Sequence, residues 1–433
     1  MVISVKKVIV ICLLIGLFGT VTNYVFLSPL PSLISLLVLP IFLIRQSQLA
    51  VPRYVFYLYL YFIYSIVGVL LYNPSSLINF GFYRYDGNFI ISYTPLLLIP
   101  FFAYNFPVEK AFRWFLLFCT GINALAFVAT LLLTRFGILY NWSNPENYFH
   151  GLFKSTNGAG GFISIILSLN IVFYLKERTR RWLILIVLNT IFLLATTSRG
   201  SLLGLLAGFS FFFLLRVNKA YLIKWVLLVI VLIQSGILYF TYPLYVKYVR
   251  NVDLEAFSKL GANAYLGPAF GGATSTKSAN LLIRLIDTWP RAVDGFIHSP
   301  IFGLGFGSIN DIPFYYGGWP YLVSWDTQSY KPFNDSHAHH SYLHILGEQG
   351  LVGLGIFLLF WYSIYIYLKK GPDTVVRNFL LVSYFNLSIM SFTEHRITSP
   401  SNALPFVITL CLYILKRNYT KRQNRTVTMD LVQ

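Results

Sequence analysis

Four of the seven histidines of this 433-residue chain, His337, His339, His340 and His344, fall within eight residues of one another. They lie in the stretch Asn334 to Gly355, where a long polar segment gives way to an apolar run. Ionisable groups at the mouth of an apolar helix are costly to keep and usually have a task. If a helix starts here, His340, His344 and Glu348 follow one another at four-residue steps and share a face, with His339 about 100° away. Two chemistries fit. Histidines at i and i+4 with a carboxylate nearby have the spacing of metal ligands. Histidine is also the side chain whose ordinary pKa suits proton transfer near neutral pH, so one of the four could act as a general base among polar neighbours. Spacing alone leaves both open, beside a structural role. Asn334, Asp335 or Ser336 can cap the helix, and its free N–H groups and dipole favour an anion at that end.

Three arginines could complete an anion site. Arg199 stands in Thr196-Thr197-Ser198-Arg199-Gly200, which interrupts the apolar run 182–215. That run is longer than one span needs, so the chain must turn near Ser198 and Gly200. Arg199 then either reaches to lipid headgroups or presents its planar fork to a phosphate. Arg284 and Arg291 are seven residues apart in Asn280 to Ile297, whose apolar residues recur with helical period, so they sit on nearly one face of an amphipathic helix near the membrane surface. The aromatic strip Phe314 to Tyr330, with Trp319 and Trp325, suits either a membrane-interface belt or stacking on sugar rings.

The elements that must position these residues are apolar. With 56% hydrophobic and 11% charged residues and a mean hydropathy of +0.65, the chain reads as an all-α, polytopic membrane protein. Twelve candidate spans occur at about 8–27, 29–44, 54–72, 89–106, 114–133, 158–175, 182–198, 200–215, 222–240, 341–368, 376–393 and 402–415. They divide the chain into nine spans over 1–240, one large external loop over 241–336, and three spans with a basic tail over 337–433. Placing the N-terminus in the cytoplasm puts 21 of the 33 Lys and Arg inside with only 4 of the 15 acidic residues. The net charge of +18 is thus a positive-inside signal and needs no nucleic acid. Cys12, Cys119 and Cys411 all lie in apolar runs, so no disulfide framework is implied. No Asp, Glu, Lys or Arg falls at the middle of a span, which argues against an ion-coupled transporter of lipid-linked saccharide.

Several short motifs in one order resemble the bacterial O-antigen ligase and O-antigen (polysaccharide) polymerase superfamily, from about Phe149 to Pro405. They are Phe149-His150-Gly151-Leu152-Phe153-Lys154-Ser155-Thr156-Asn157 before a middle span, and Thr197-Ser198-Arg199-Gly200 at the turn. Arg284 to Trp289 follows, with His298-Ser299-Pro300-Ile301-Phe302-Gly303-Leu304-Gly305 as its exit. The last is His339-His340-Ser341-Tyr342-Leu343 with Glu348 and Gly350. The resemblance implies a multi-span glycosyltransferase of the bacterial inner membrane that works on the periplasmic face without a cofactor or metal. It would move a glycan from undecaprenyl diphosphate to an acceptor glycan. Ligase-type transfer to lipid A-core is favoured slightly over polymerisation onto a growing polysaccharide. By resemblance Arg199 and Arg284 hold the diphosphate and His339 takes the acceptor's proton. The family's Asn after the histidine is His340 here, and Arg284-to-Trp289 is one residue longer than the pattern, so His340 and Arg291 stay as second candidates. Tyr342, His340, His344, Glu348, Trp319 and Trp325 would line the substrate cavity, and membrane lipids would surround the spans.

Overall fold

The computed structural model describes residues 5–21, 30–45, 51–72, 86–135, 149–153, 155–247, 284–306, 308–311, 322–323, 330–331 and 338–430. Its apolar runs are helices: α1 (Val5–Gly19), α2 (Leu30–Arg45), α3 (Arg53–Tyr72), α4 (Asp86–Tyr93), α5 (Pro95–Leu98), α6 (Val108–Arg135), α7 (Thr156–Glu177), α8 (Arg180–Ala195), α9 (Arg199–Arg216) and α10 (Tyr221–Tyr245). Inside the expected loop 241–336 lie a π turn (Arg284–Thr288) and α11 (Trp289–His298); after it come α12 (Ser341–Lys369), α13 (Val375–Met390) and α14 (Pro400–Asp430). Within the loop, Leu322–Val323 and Tyr330–Lys331 form a two-residue antiparallel ribbon.

Among the described residues, six of the twelve expected spans are helices long and apolar enough to cross a membrane: Arg53–Leu71, Val108–Leu132, Thr156–Glu177, Arg199–Arg216, Tyr221–Tyr245 and Ser341–Lys369. Five of the other runs form shorter or broken helices among the described residues. The run 89–106 is cut by Pro95 and Pro100 into α4, α5 and a 3₁₀ turn, because each proline removes a donor and crowds the turn before it. The run 402–415 instead continues well past the apolar stretch, to Asp430.

The bundle is organised around α7, whose apolar window is 78% buried, while that of α10 is only 6% buried and offers its sides to lipid. Helices α8, α9, α13 and α14 pack round α7. Chain direction alternates, so the first turns of α7, α9, α12 and α14 lie at the same end as the last turn of α13. At the other end, ion pairs tie helix termini together: Lys176 to Glu109 at 3.1 Å, Arg113 to Glu177 at 2.5 Å and Arg216 to Asp373 at 2.8 Å.

Helix α12 is not one uninterrupted span. Gly350 adopts φ 62°, ψ −164° and breaks it, a backbone region essentially reserved for glycine. Breaking a helix within an apolar layer exposes backbone groups that must find partners. The turn after α11 supplies them: Leu351 N–H donates to Pro300 O at 2.9 Å, Val352 N–H to Ile301 O at 3.1 Å, and Gly305 N–H to Glu348 O at 2.8 Å. The Gly-rich strip after Pro300 is therefore the complement of the break. A methyl on Gly350 would collide with Ile301 O. Gly350→Ala should destabilise the fold by about 3 kcal/mol or more, read as a lower melting midpoint in detergent.

Candidate functional site

The centre of the site is Glu394, in the turn between α13 and α14. Glu394 N–H donates to Met390 O at 3.0 Å, closing the last turn of α13, and the carboxylate is left projecting among three donors. Arg284, from the π turn, donates through Nη2 to Glu394 Oε1 and through Nη1 to Thr393 O at 3.1 Å. Asn157 Nδ2, in the first turn of α7, donates to Oε1 at 2.7 Å. His339 Nδ1 lies 3.3 Å from Oε2. Buried Arg396 adds a second positive charge beside that of Arg284. Burial alone would push the Glu394 carboxyl up. The His339 hydrogen bond and the charges of Arg284 and Arg396 outweigh it and hold the pKa at about 2.

Ser341 locks the histidine segment to this turn. Its N–H donates to Ser391 O at 2.9 Å, its hydroxyl donates to Glu394 O at 3.2 Å, and the same hydroxyl accepts from Arg396 N–H at 3.0 Å. His339 is thereby held just outside α12 in the left-handed region, φ 48°, an uncommon conformation for a non-glycine residue that surrounding contacts must enforce. Trp289 Nε1 contributes by donating to His339 O at 3.4 Å. About a third of the His339 side chain, 35%, stays exposed.

The neighbouring His340 is built differently. It is 2% exposed and is itself the N-cap of α12, its Nδ1 accepting from Leu343 N–H at 3.1 Å. The cap therefore does not come from Asn334, Asp335 or Ser336, which lie outside the described residues. His340 Nε2 faces Gln234 Oε1 at 3.1 Å, and Gln234 Nε2 donates to Phe392 O at 2.9 Å. Burial lowers the His340 pKa to about 3, against a small opposing backbone hydrogen bond, so the ring is neutral at ordinary pH. With both nitrogens engaged, it is poorly placed to accept a further proton.

Helical spacing does put His344 and Glu348 together, at 3.3 Å, but they are 1% exposed each. Glu348 Oε1 also accepts Ile309 N–H at 3.2 Å, so the pair anchors the turn after α11 to α12. The His395 ring stands edge-on to His344, centroids 5.0 Å apart. Among the described residues no group of three His, Cys, Asp or Glu side chains is arranged to hold a metal ion. Tyr342 packs on Phe392 and donates to Ser388 O at 3.1 Å. The expected cavity-lining residues His340, His344 and Glu348 thus lie buried on the face of α12 that turns into the bundle, and Tyr342, on another face, packs against the end of α13. Trp319, Trp325 and His337 lie outside the described residues.

The two loop arginines part company. The expected amphipathic helix is present as the π turn and α11, but its face is buried against α12 and α10 rather than laid on a membrane surface; Tyr242 on α10 donates to Asp294 at 2.7 Å. Arg291 is 1% exposed within that contact, whereas the Arg284 side chain reaches the site and is 18% exposed. The π turn separates them, since it adds a residue to the turn and breaks the heptad-like face they would share. Arg199 opens α9 at the same end, after the turn at Thr197 (φ 54°), and is exposed. Its neighbour Gly200 lies against Thr393, where an added methyl would come within 2.8 Å of Thr393 Oγ1.

Glu394 carried no role in the sequence reading. The signal that could have found it is Thr393-Glu394-His395-Arg396, a polar run between two apolar ones at the same end as the histidines.

Fold and site define a class: a multi-pass helical membrane protein with a histidine–carboxylate–arginine cluster built where several helix ends meet. Residues 184–358, a region that carries Arg199, Arg284 and His339, match the family described as O-antigen ligase. Two proteins named "Putative polysaccharide ligase" are similar to it. The one from Rickettsia conorii is 27% identical over 223 residues, covering 51% of this chain and 47% of the relative. The one from Rickettsia felis is 27% identical over 235 residues, 54% and 50% of the two chains. The chain thus spans about half the length of the curated relatives it matches.

Proposed function

We propose that this protein is a membrane glycosyltransferase of the O-antigen ligase type. It transfers an oligo- or polysaccharide from undecaprenyl diphosphate to an acceptor glycan, lipid A-core, on the periplasmic face of the bacterial inner membrane. The observation that carries this reading is the joining of His339 and Arg284 through Glu394, at the bundle end where Arg199 also lies. A neutral His339 that donates from Nδ1 to Glu394 keeps its lone pair on Nε2, the arrangement that suits a general base. It takes the proton of the acceptor hydroxyl as that oxygen bonds to the anomeric carbon. The bond from that carbon to the diphosphate oxygen breaks on the opposite face, so the configuration inverts. Negative charge then grows on the leaving diphosphate, where fixed guanidinium groups stabilise it most. Arg199 and Arg284 take this role. Glu394 stabilises the imidazolium as it forms, Asn157 and Ser341 hold Glu394, and Arg291, His340, Tyr342, His344 and Glu348 keep the frame rigid. Trp319 and Trp325 are assigned to sugar contacts. The charge asymmetry of the helix termini supports this end as the outward one.

The leaving group is already activated and arginines neutralise it, so the chemistry needs no Lewis acid. Turnover of purified protein is expected to be unchanged in EDTA once metal analysis confirms extraction; a loss restored by a divalent ion would overturn this part. Product size separates transfer to lipid A-core from polymerisation, which uses the same donor and the same groups. Reconstituted protein given a defined undecaprenyl-diphosphate glycan and lipid A-core should yield a single addition to the core. A ladder built from donor alone would make it a polymerase. Translocation of donor with no transfer would make it a transporter and refute the reading.

A further inference from the structure

The end of the bundle opposite His339 holds a cleft of 460 Å³ between the start of α6, the α12–α13 turn and the emerging part of α14. We propose that it is a binding site for an anionic phospholipid headgroup. Helix α14 supplies one wall. Its buried apolar run ends at Leu415 and its surface turns basic from Lys416, which sets the cleft at the boundary between apolar layer and water. Lys416, Thr420 and Asn424 follow at four-residue steps, with Arg417 and Lys421 one position further round, so these groups face the cleft together. The floor is apolar, with Val108, Val376 and Tyr413.

A cationic rim above an apolar floor at that height matches a phosphate with the glycerol and first methylenes of its chains beneath. A free phosphate would use the rim only. Arg417 is preset: it donates to Tyr367 O at 2.9 Å and Lys370 O at 3.2 Å and stacks over Tyr367 at 4.3 Å, so its charge is fixed beside the rim. The one carboxylate in the lining, Glu109, is engaged by Lys176 at 3.1 Å. Two further clefts at this end are less suited. Arg216 in one is taken by Asp373, and the other, with Lys6 and Arg422, is floored by Ala103, Tyr104 and Asn105 rather than aliphatic side chains.

The test uses the full chain, reconstituted in nanodiscs and released for native mass spectrometry, with retained phosphatidylglycerol and phosphatidylcholine counted per protein. Wild type should retain phosphatidylglycerol preferentially. The double variant K416Q/K421Q should lose that retention by roughly fivefold per lysine, about 25-fold in all. R180Q/K224Q removes the same charge from exposed positions elsewhere at this end and should keep it. Equal retention of the two lipids by wild type, or equal loss in both double variants, overturns the site. Inorganic phosphate at millimolar concentration should not displace the lipid; displacement would mean a phosphate site in place of a lipid one and would also overturn the proposal. Both variants should elute as wild type in detergent, since the substituted side chains are exposed.

Discussion

Replacing His339 by alanine is expected to abolish glycan transfer while leaving the protein at wild-type levels in the membrane. A positioned general base contributes about 10²- to 10⁴-fold, and among the described histidines of the cluster His339 is the one both partly exposed and paired with a carboxylate. The substitution removes little packing, because the left-handed backbone there is held by Ser341 and Trp289 rather than by the imidazole. His340→Ala should behave in the opposite way. It deletes the N-cap of α12 and strands Leu343 N–H and the Gln234 amide, a loss of about 1–3 kcal/mol, with turnover per folded molecule largely kept. Transfer per molecule, together with melting midpoints, distinguishes the two. Full transfer by His339→Ala would remove the base assignment; loss of transfer by a stable His340→Ala protein would move it to the neighbour.

Glu394 is the second position of large effect. Glu394→Ala leaves Arg284 and Arg396 without their shared counter-charge in a site that is 10% exposed at the carboxylate, and breaking a buried pair on one side typically costs about 3–5 kcal/mol. Glu394→Gln keeps the shape and isolates the charge. It should lower transfer by about 10²- to 10⁴-fold, as when the carboxylate behind a catalytic histidine is made neutral, with a smaller stability loss. Acid titration provides an independent reading. The carboxyl is held at about 2 in the folded protein, below the ordinary value of 4.5, so the stabilisation it contributes is complete above pH 4.5. It is lost as pH falls through 2. The difference in melting midpoint between wild type and Glu394→Gln should therefore be constant near neutral pH and shrink steadily below 4.5. A difference that stays flat down to pH 3 would mean that the carboxylate is not the group holding the arginines.

Much of this architecture is legible in the chain. Apolar runs of sufficient length dictate helices, since only internally bonded backbone survives in hydrocarbon. The turn at Ser198 follows from a run too long for one span, and Arg199, Arg284 and His339 stand out as polar residues at apolar boundaries. Other features are set by contacts far apart in sequence. The run 341–368 looked like one span because periodicity does not register a single residue with positive φ; Gly350 breaks it, and the turn from Pro300 to Gly305, some 45–50 residues earlier, closes the gap. Arg284 and Arg291 looked equivalent at seven-residue spacing until the π turn rotated one to the site and buried the other.

The histidine cluster separates the two kinds of information most clearly. From residue types and spacing alone, four histidines at a helix mouth supported a metal set, a base or a frame, because spacing along one helix is a local property. Which nitrogen meets which partner depends on elements far apart in sequence: Asn157 from α7, Gln234 from α10, Arg284 from the π turn, and Glu394 from the turn before α14. The sequence by itself determined a multi-pass helical membrane protein with histidines and arginines set at the boundaries of its apolar runs. Only the tertiary structure decided that His340 is a cap, that His344 and Glu348 are buried together, and that Glu394 joins His339 to Arg284, since a buried carboxylate is stable only where its counter-charges converge.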